Sequence, residues 1–376
     1  MTAAPQASSS SVPFNDLKPK VAAHRSAVDR AIKRVLDRGY FVLGPEGAAF
    51  EAELAAAMGA KEAVTVASGT DALILALEVR GIRDGDEVIT SPMSAAFSAL
   101  AISRLGATPV FGDIDPVTLN LDPATIEALI TPKTRAILPV HLYGHPADLD
   151  PIMDIARRHD LSVVEDCCQA HGARYKGRPV SSVAGIGALS FYPTKNLGGF
   201  GDGGAILVDD PATARELRKL RNGGQSDRYR HESLGTNSRL DEIQAAILRE
   251  LLQTLDAETS RRREIAERYF EAFRGLPLGL PEEHGYARAV YHLFVVRHPR
   301  RAAFMAALAD RGVGTLIHYP LPLHLQPAYA FLGGKPGDRP QVEKAADEIV
   351  SLPVYPELTD DQVGAVIAAV KAAVDI

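Results

Sequence analysis

Three short stretches hold the residues most able to do covalent or ionic chemistry. Lys195 follows Ser190-Phe191-Tyr192-Pro193-Thr194 and precedes a loop carrying Gly198, Gly199, Gly201, Gly203 and Gly204. An amine in such a place forms an imine with an aldehyde once its surroundings lower its proton affinity. A lysine on a surface turn is the plainer reading, and the glycines weaken it because they let backbone pass close to a ligand. Asp166 closes the run Leu161-Ser162-Val163-Val164-Glu165, which puts its carboxylate at the carboxyl end of a buried strand. Ligands of open α/β sheets bind at that edge. A buried carboxylate needs a partner, and a protonated ring nitrogen or a set of loop amides would serve. Ser68-Gly69-Thr70 sits where a strand hands over to a helix, a place with free N–H groups and positive dipole that suits an anion. Helix capping alone would also explain it.

Other motifs lead away from their first reading. Gly199-Phe200-Gly201-Asp202-Gly203-Gly204 matches G-x-G-x-x-G, but it runs into the strand-like Ala205-Ile206-Leu207-Val208 and not into the helix a dinucleotide site requires. His318 and His324 flank Tyr319-Pro320-Leu321-Pro322-Leu323 with no H-E-x-x-H or cysteine pair beside them, so no metal is expected. The only cysteines, Cys167 and Cys168, are adjacent, which excludes a disulfide framework.

The elements that must position these residues alternate in type. Helical spacing begins near Leu17 and stops at Gly39, and a second helix is expected over 48–58. Short β-branched runs follow at 63–67, 87–89, 108–111, 136–140 and 161–164, with helical patterns between them, notably 71–79; this predicts parallel βαβ units. Runs at 188–191 and 205–208 add late strands, not all parallel. One long helix is expected over 238–273, with the boundary between two lobes inside it, and residues beyond 291 suggest a smaller α/β lobe. The 376 residues exceed what one core usually serves, in keeping with two lobes. The expected domains are a flexible tail over 1–12, a large lobe over 13–255 and a small one over 256–376. Charged residues make up 23%, mean hydropathy is −0.03 and net charge is −6, the profile of a globular chain without a basic footprint for nucleic acid. No apolar run is long enough to cross a bilayer and the first residues lack a secretory pattern, so a cytoplasmic protein is expected.

An aldehyde-trapping lysine, a strand-end carboxylate and a helix-end anion site together meet the needs of pyridoxal phosphate, which has an aldehyde, a pyridine nitrogen and a phosphate. The sequence also resembles the DegT/DnrJ/EryC1/StrS sugar aminotransferases, within the fold-type I pyridoxal phosphate enzymes, from about Val12 onward. The resemblance rests on ordered motifs: Phe41-Val42-Leu43-Gly44-Pro45, Ser68-Gly69-Thr70-Asp71-Ala72-Leu73, Asp113-Ile114-Asp115, Glu165-Asp166 with Gln169-Ala170-His171-Gly172, and Ser190 to Gly198. Gly235-Thr236-Asn237-Ser238-Arg239, Asp241 to Ala245, His318-Tyr319-Pro320 and His324-Leu325-Gln326-Pro327 continue the series.

The resemblance implies an aspartate-aminotransferase-like α/β fold, with a mostly parallel central sheet, flanking helices and a smaller C-terminal lobe. It implies that Lys195 forms the imine linkage to the cofactor and Asp166 pairs with the ring nitrogen. Gly69, Thr70 and Ser190 would hold the phosphate, Gln169 would contact the ring-hydroxyl side, and Asn237 would reach the phosphate of the neighbouring subunit in a homodimer. Tyr229 and His231 are further candidates for that shared site, and Phe97, Tyr192, Arg239, His318, Tyr319 and His324 for the substrate. Family members often place an aromatic ring over the cofactor where Ala95 aligns, which leaves Phe97, Met93 or a residue outside the Pro92 to Ala99 segment as the stacking group. The implied reaction moves an amino group from an amino acid, glutamate above all, to a nucleotide-linked ketosugar, with the 3-keto position favoured over the 4-keto. A cyclitol acceptor and a non-catalytic, cofactor-binding regulator stand as alternatives; sugar deoxygenation, which replaces the lysine by histidine, does not fit Lys195.

Overall fold

The computed structural model describes residues 11–375. Helices Lys18–Arg38 (α1) and Pro45–Met58 (α2) lead into strand Glu62–Val66 (β1) and helix Gly69–Val79 (α3). Glu87–Thr90 (β2), Phe97–Arg104 (α4), Thr108–Phe111 (β3), Thr134–Leu138 (β4) and Leu149–Arg158 (α5) follow. The next strand is split into Ser162–Val163 (β5) and Glu165–Asp166 (β6). Arg174–Tyr175 (β7) and Arg178–Pro179 (β8) form a small ribbon before Ile186–Ser190 (β9), Gly204–Val208 (β10) and Pro211–Leu220 (α6).

These strands build one sheet in two joined halves. The order β3-β2-β4-β5 on one side meets β6-β9-β10-β1 on the other, because β5 and β6 belong to one run of chain and Val140 bridges Asp166 in parallel. Every pairing is parallel except the two made by β10, which is antiparallel to both β9 and β1. This is the mixed sheet expected from the late strands at 188–191 and 205–208. Two apolar layers cover it: Leu73, Leu77, Ile102 and Leu217 on one side, Phe50, Leu54, Phe191 and Leu248 on the other.

Beyond the sheet lie the exposed hairpin Gln225–Asp227 (β11) and Arg230–His231 (β12), then Glu242–Leu252 (α7) and Leu255–Phe273 (α8). The single helix expected over 238–273 is therefore two. The break at Gln253-Thr254 has a packing cause. α7 buries Ala245, Leu248 and Leu251 among the large-lobe residues, whereas α8 buries Ile265, Tyr269 and Phe273 in a separate cluster, and one straight helix could not serve both. That second cluster is completed by Ala287–Arg288 (β13, paired with β7), the antiparallel pair Phe294–Arg297 (β14) and Ile349–Leu352 (β15), and helices Arg301–Asp310 (α9), Pro340–Glu348 (α10) and Asp360–Ala373 (α11), of which β14, β15, α9 and α11 supply most of the core.

The N-terminal tail expected over 1–12 lies outside the described residues up to residue 10. Val12 departs from that expectation: it is 1% exposed, bridges Val313 and joins the second cluster, because its apolar side chain completes a core that α8 and α9 leave open. No helix among the described residues is long and apolar enough to cross a membrane.

Candidate functional site

Strand direction brings the three chemical stretches together. β1 and β9 are both antiparallel to β10, so they run the same way, and β9 is parallel to β6. The carboxyl ends of β1, β6 and β9 therefore share one edge, where Ser68-Gly69-Thr70, Asp166 and the Ser190-to-Lys195 loop emerge. Register fixes their level: Val66 and Ser190 both pair with Gly204, and Asp166 pairs with Ala188.

At β1, Ser68 caps α3 by accepting from Asp71 N at 3.1 Å. The first-turn N–H groups of Gly69 and Thr70 have no acceptor within the helix. Gly69 lies so close to the neighbouring strand that an added Cβ would stand 2.6 Å from Ser190 Cβ and 3.1 Å from its Oγ. Two amides and a hydroxyl thus face one small space, a cradle suited to a phosphate. Gly204 keeps it tight, since a Cβ there would meet Ser68 O at 2.4 Å.

Asp166 is 5% exposed and both its oxygens are held: Oδ1 accepts from Cys168 N at 3.1 Å and Oδ2 from Ser98 Oγ at 2.7 Å. Lys195 sits in a turn closed by Lys195 N to Tyr192 O at 2.8 Å and Gly199 N to Phe191 O at 2.8 Å. Burial pushes its ammonium below the ordinary lysine range, against the opposing pull of Cys168 and Asp166. Burial raises the Cys167 and Cys168 thiols, which pack beside this strand.

Three imidazoles near Lys195 are held neutral. Burial, then the Lys195 charge, lowers His171 to about 3 and His318 to about 4, and the same causes push His292 well below its usual value. His292 Nδ1 lies 3.2 Å from Asn196 Oδ1, and Asn196 Nδ2 donates to Val290 O at 3.1 Å, so the residue after Lys195 is held against the segment from Val290 to His292. Gln169 makes a second link: its Oε1 accepts from Tyr143 N at 2.8 Å and its Nε2 donates to Tyr319 Oη at 3.1 Å. Tyr143 Oη in turn donates to His318 O. Burial raises Tyr319 to about 12. A cavity of about 480 Å³ is walled by Phe14, Asn15, Tyr192, Thr194, Arg262 and His318 among others.

Lys195, Asp166, Gly69, Thr70, Ser190, Gln169, Tyr192, His318 and Tyr319 thus share one end of the sheet. Asn237 lies exposed next to Ser238, whose Oγ donates to Asp71 Oδ2 at 2.7 Å. Arg239 donates to Asn222 Oδ1 at 2.8 Å. Tyr229, 80% exposed, and His231 occupy the β11–β12 hairpin. Phe97 opens α4 and is 58% exposed, while Met93 is fully buried beside Leu142 and Tyr143. His324 is buried elsewhere, its Nε2 3.1 Å from Glu343 on α10. Sequence reasoning missed Ser98, Tyr143, His292 and Arg262; no spacing or local motif marks them, because each reaches the site from a separate element.

His141, Glu165 and Cys167 also bring metal-capable atoms together. Ala147 N donates to His141 Nδ1 at 3.0 Å, which leaves the proton on Nε2, 3.0 Å from Glu165 Oε2. Glu165 further accepts from Ser181 N and Ala184 N at 2.8 Å, so this trio is a satisfied hydrogen-bond node.

A profile of the DegT/DnrJ/EryC1/StrS aminotransferase family matches residues 23–371. The chain belongs to this family. It is 50% identical over 361 residues to dTDP-3-amino-3,4,6-trideoxy-alpha-D-glucose transaminase of Streptomyces venezuelae, covering 96% of this chain and 95% of that one. Its fold follows the crystal structure of S. venezuelae DesV in complex with a ketimine intermediate, with a TM-score of 0.96 and 49% identity over 98% of this chain and 100% of that one. NtdA from Bacillus subtilis, solved with bound cofactor PMP, gives a TM-score of 0.91 at 32% identity, covering 98% and 86% of the two chains. The protein is thus a family aminotransferase with the aspartate-aminotransferase-like fold that the motifs implied.

Proposed function

We propose that the protein binds pyridoxal 5′-phosphate at this sheet edge and transfers an amino group from an amino acid, glutamate, to the 3-keto position of a nucleotide-linked ketosugar. The observation that carries the cofactor is the meeting of Lys195, Asp166 and the Gly69–Ser190 cradle at one edge. The acceptor rests on the likeness to a 3-amino-sugar transaminase. When bound, the cofactor supplies an aldehyde to take up amines and a ring to delocalise the electron pair left after Cα deprotonation.

The chain's own residues do the rest. Gly69 and Thr70 N–H with Ser190 Oγ would hold the phosphate, Gln169 would take the ring-hydroxyl side, and Asp166 would accept from a protonated ring nitrogen. Lys195 would hold the cofactor through its aldehyde, and its amine, whose proton affinity burial has lowered, would carry the proton from the donor's Cα. Tyr192, Thr194 and His318 border the cavity in which the substrates alternate. The large lobe, residues 13–255, holds the cofactor and the lobe from 256 closes over the sugar. The working unit is a cytoplasmic homodimer in which Asn237, Tyr229 and His231 reach the partner's site; their exposure supports this reading.

The test is a panel of nucleotide-linked 3-keto and 4-keto sugars and scyllo-inosose, each with glutamate, with amino products read by mass. A 3-amino product is expected. Product only from the inosose or a 4-keto sugar overturns the acceptor; no spectral change with glutamate overturns the transaminase reading.

A further inference from the structure

The segment Pro92 to Ala99 supplies a hydroxyl aimed at the carboxylate of Asp166. Ser98 Oγ donates to Asp166 Oδ2 at 2.7 Å, and the two residues are 2% and 5% exposed. A carboxylate has no hydrogen to give, so the single Ser98 proton is committed to it. The contact of Ser94 Oγ with Ser98 Oγ at 3.2 Å therefore has Ser94 as donor. Ser94 is itself 3% exposed, and donors in series strengthen one another. Opposite, Cys168 N occupies Oδ1 at 3.1 Å. The carboxylate plane is thus clamped from α4 on one side and from its own turn on the other.

From this geometry we infer that Ser98, backed by Ser94, is a positioning residue that fixes the orientation and charge of Asp166 toward the ring nitrogen of the cofactor. The inference deepens the proposed function and rests on it. A hydrogen bond to a charged acceptor is among the stronger protein contacts. Losing it leaves the carboxylate free to turn away from the ring nitrogen, so a protonated ring would be stabilised less and the cofactor held less tightly.

The experiment uses holoprotein carrying Ser98→Ala or Ser98→Thr, beside the unaltered protein and Asp166→Asn as a control. Two quantities are read: the midpoint of the visible absorbance titration against pH, and cofactor affinity of the resolved protein by fluorescence. Ser98→Ala is expected to lower the midpoint by about one unit and weaken affinity about tenfold, and Ser98→Thr, which keeps the hydroxyl, to restore both. If Ser98→Ala leaves both unmoved while Asp166→Asn moves them, or if Ser98→Thr behaves as Ser98→Ala does, Ser98 only packs and the inference falls. A failure of the underlying reading looks different: the unaltered protein itself would take up no cofactor.

Discussion

Acidification should destabilise this protein over a window set by buried neutral histidines. His171 is fully buried with neither ring nitrogen partnered among the described residues, and burial lowers it to about 3; His145 and His318 are each lowered to about 4. In the unfolded chain each titrates near 6.5. A depressed folded value means the unfolded state takes up the proton first, so the contribution is complete above pH 6.5 and is lost as pH falls below it. Going from pH 7.5 to 5.5 costs about 1.3 kcal/mol for a histidine whose folded value lies below the window. His171 and His292, which burial also pushes well below its usual value, are each expected to give nearly that amount and the partly accessible His145 and His318 less, for a total of about 3–5 kcal/mol. On a chain of this length that is a fall in melting temperature of roughly 4–6 °C. Differential scanning calorimetry at pH 7.5, 6.5 and 5.5 measures it, and His171→Leu should flatten the slope by removing one titrating group. A melting temperature that is level or rises on acidification, or a slope indifferent to His171→Leu, would refute the reasoning.

Lys195→Ala should abolish both the visible band of the bound cofactor and amino transfer; a yellow, active variant excludes the lysine's role. Gly69→Ala places a methyl 2.6 Å from Ser190 Cβ and should weaken cofactor binding at least about tenfold with a stability cost of about 1–3 kcal/mol, read by titration and thermal shift. Glu242 accepts from the N–H groups of Gly44, Glu46 and Gly47 at 2.8–2.9 Å, so Glu242→Ala should cost about 3 kcal/mol or more in chemical unfolding by orphaning the start of α2. If active sites are shared, mixing inactive Lys195→Ala and Asn237→Ala chains should restore activity to about one quarter, since half of the random dimers carry one intact site; no recovery on subunit exchange argues for self-contained sites.

Much of the candidate site was legible because its chemistry is local in sequence. A lysine after a strand and before glycines, a carboxylate at a strand end and a Ser-Gly-Thr helix start each follow from a few consecutive residues, and alternation of apolar runs predicts the sheet that carries them. The ordered motifs then identified the family. What the sequence left open depends on residues distant along the chain. The direction of β10 turns β1 and β9 the same way and so brings Gly69 against Ser190. The break at Thr254 carries no glycine or proline to announce it; it exists because α7 and α8 belong to different cores. Val12 looks like tail until the small lobe offers it a partner in Val313. Ser98 and His171 are ordinary residues in sequence, and only packing decides that one donates to Asp166 and the other is held neutral by burial. Composition and periodicity determined which elements form and which side chains can react; the tertiary structure decided which of those side chains meet, because burial and hydrogen bonding are properties of neighbours that sequence order does not specify.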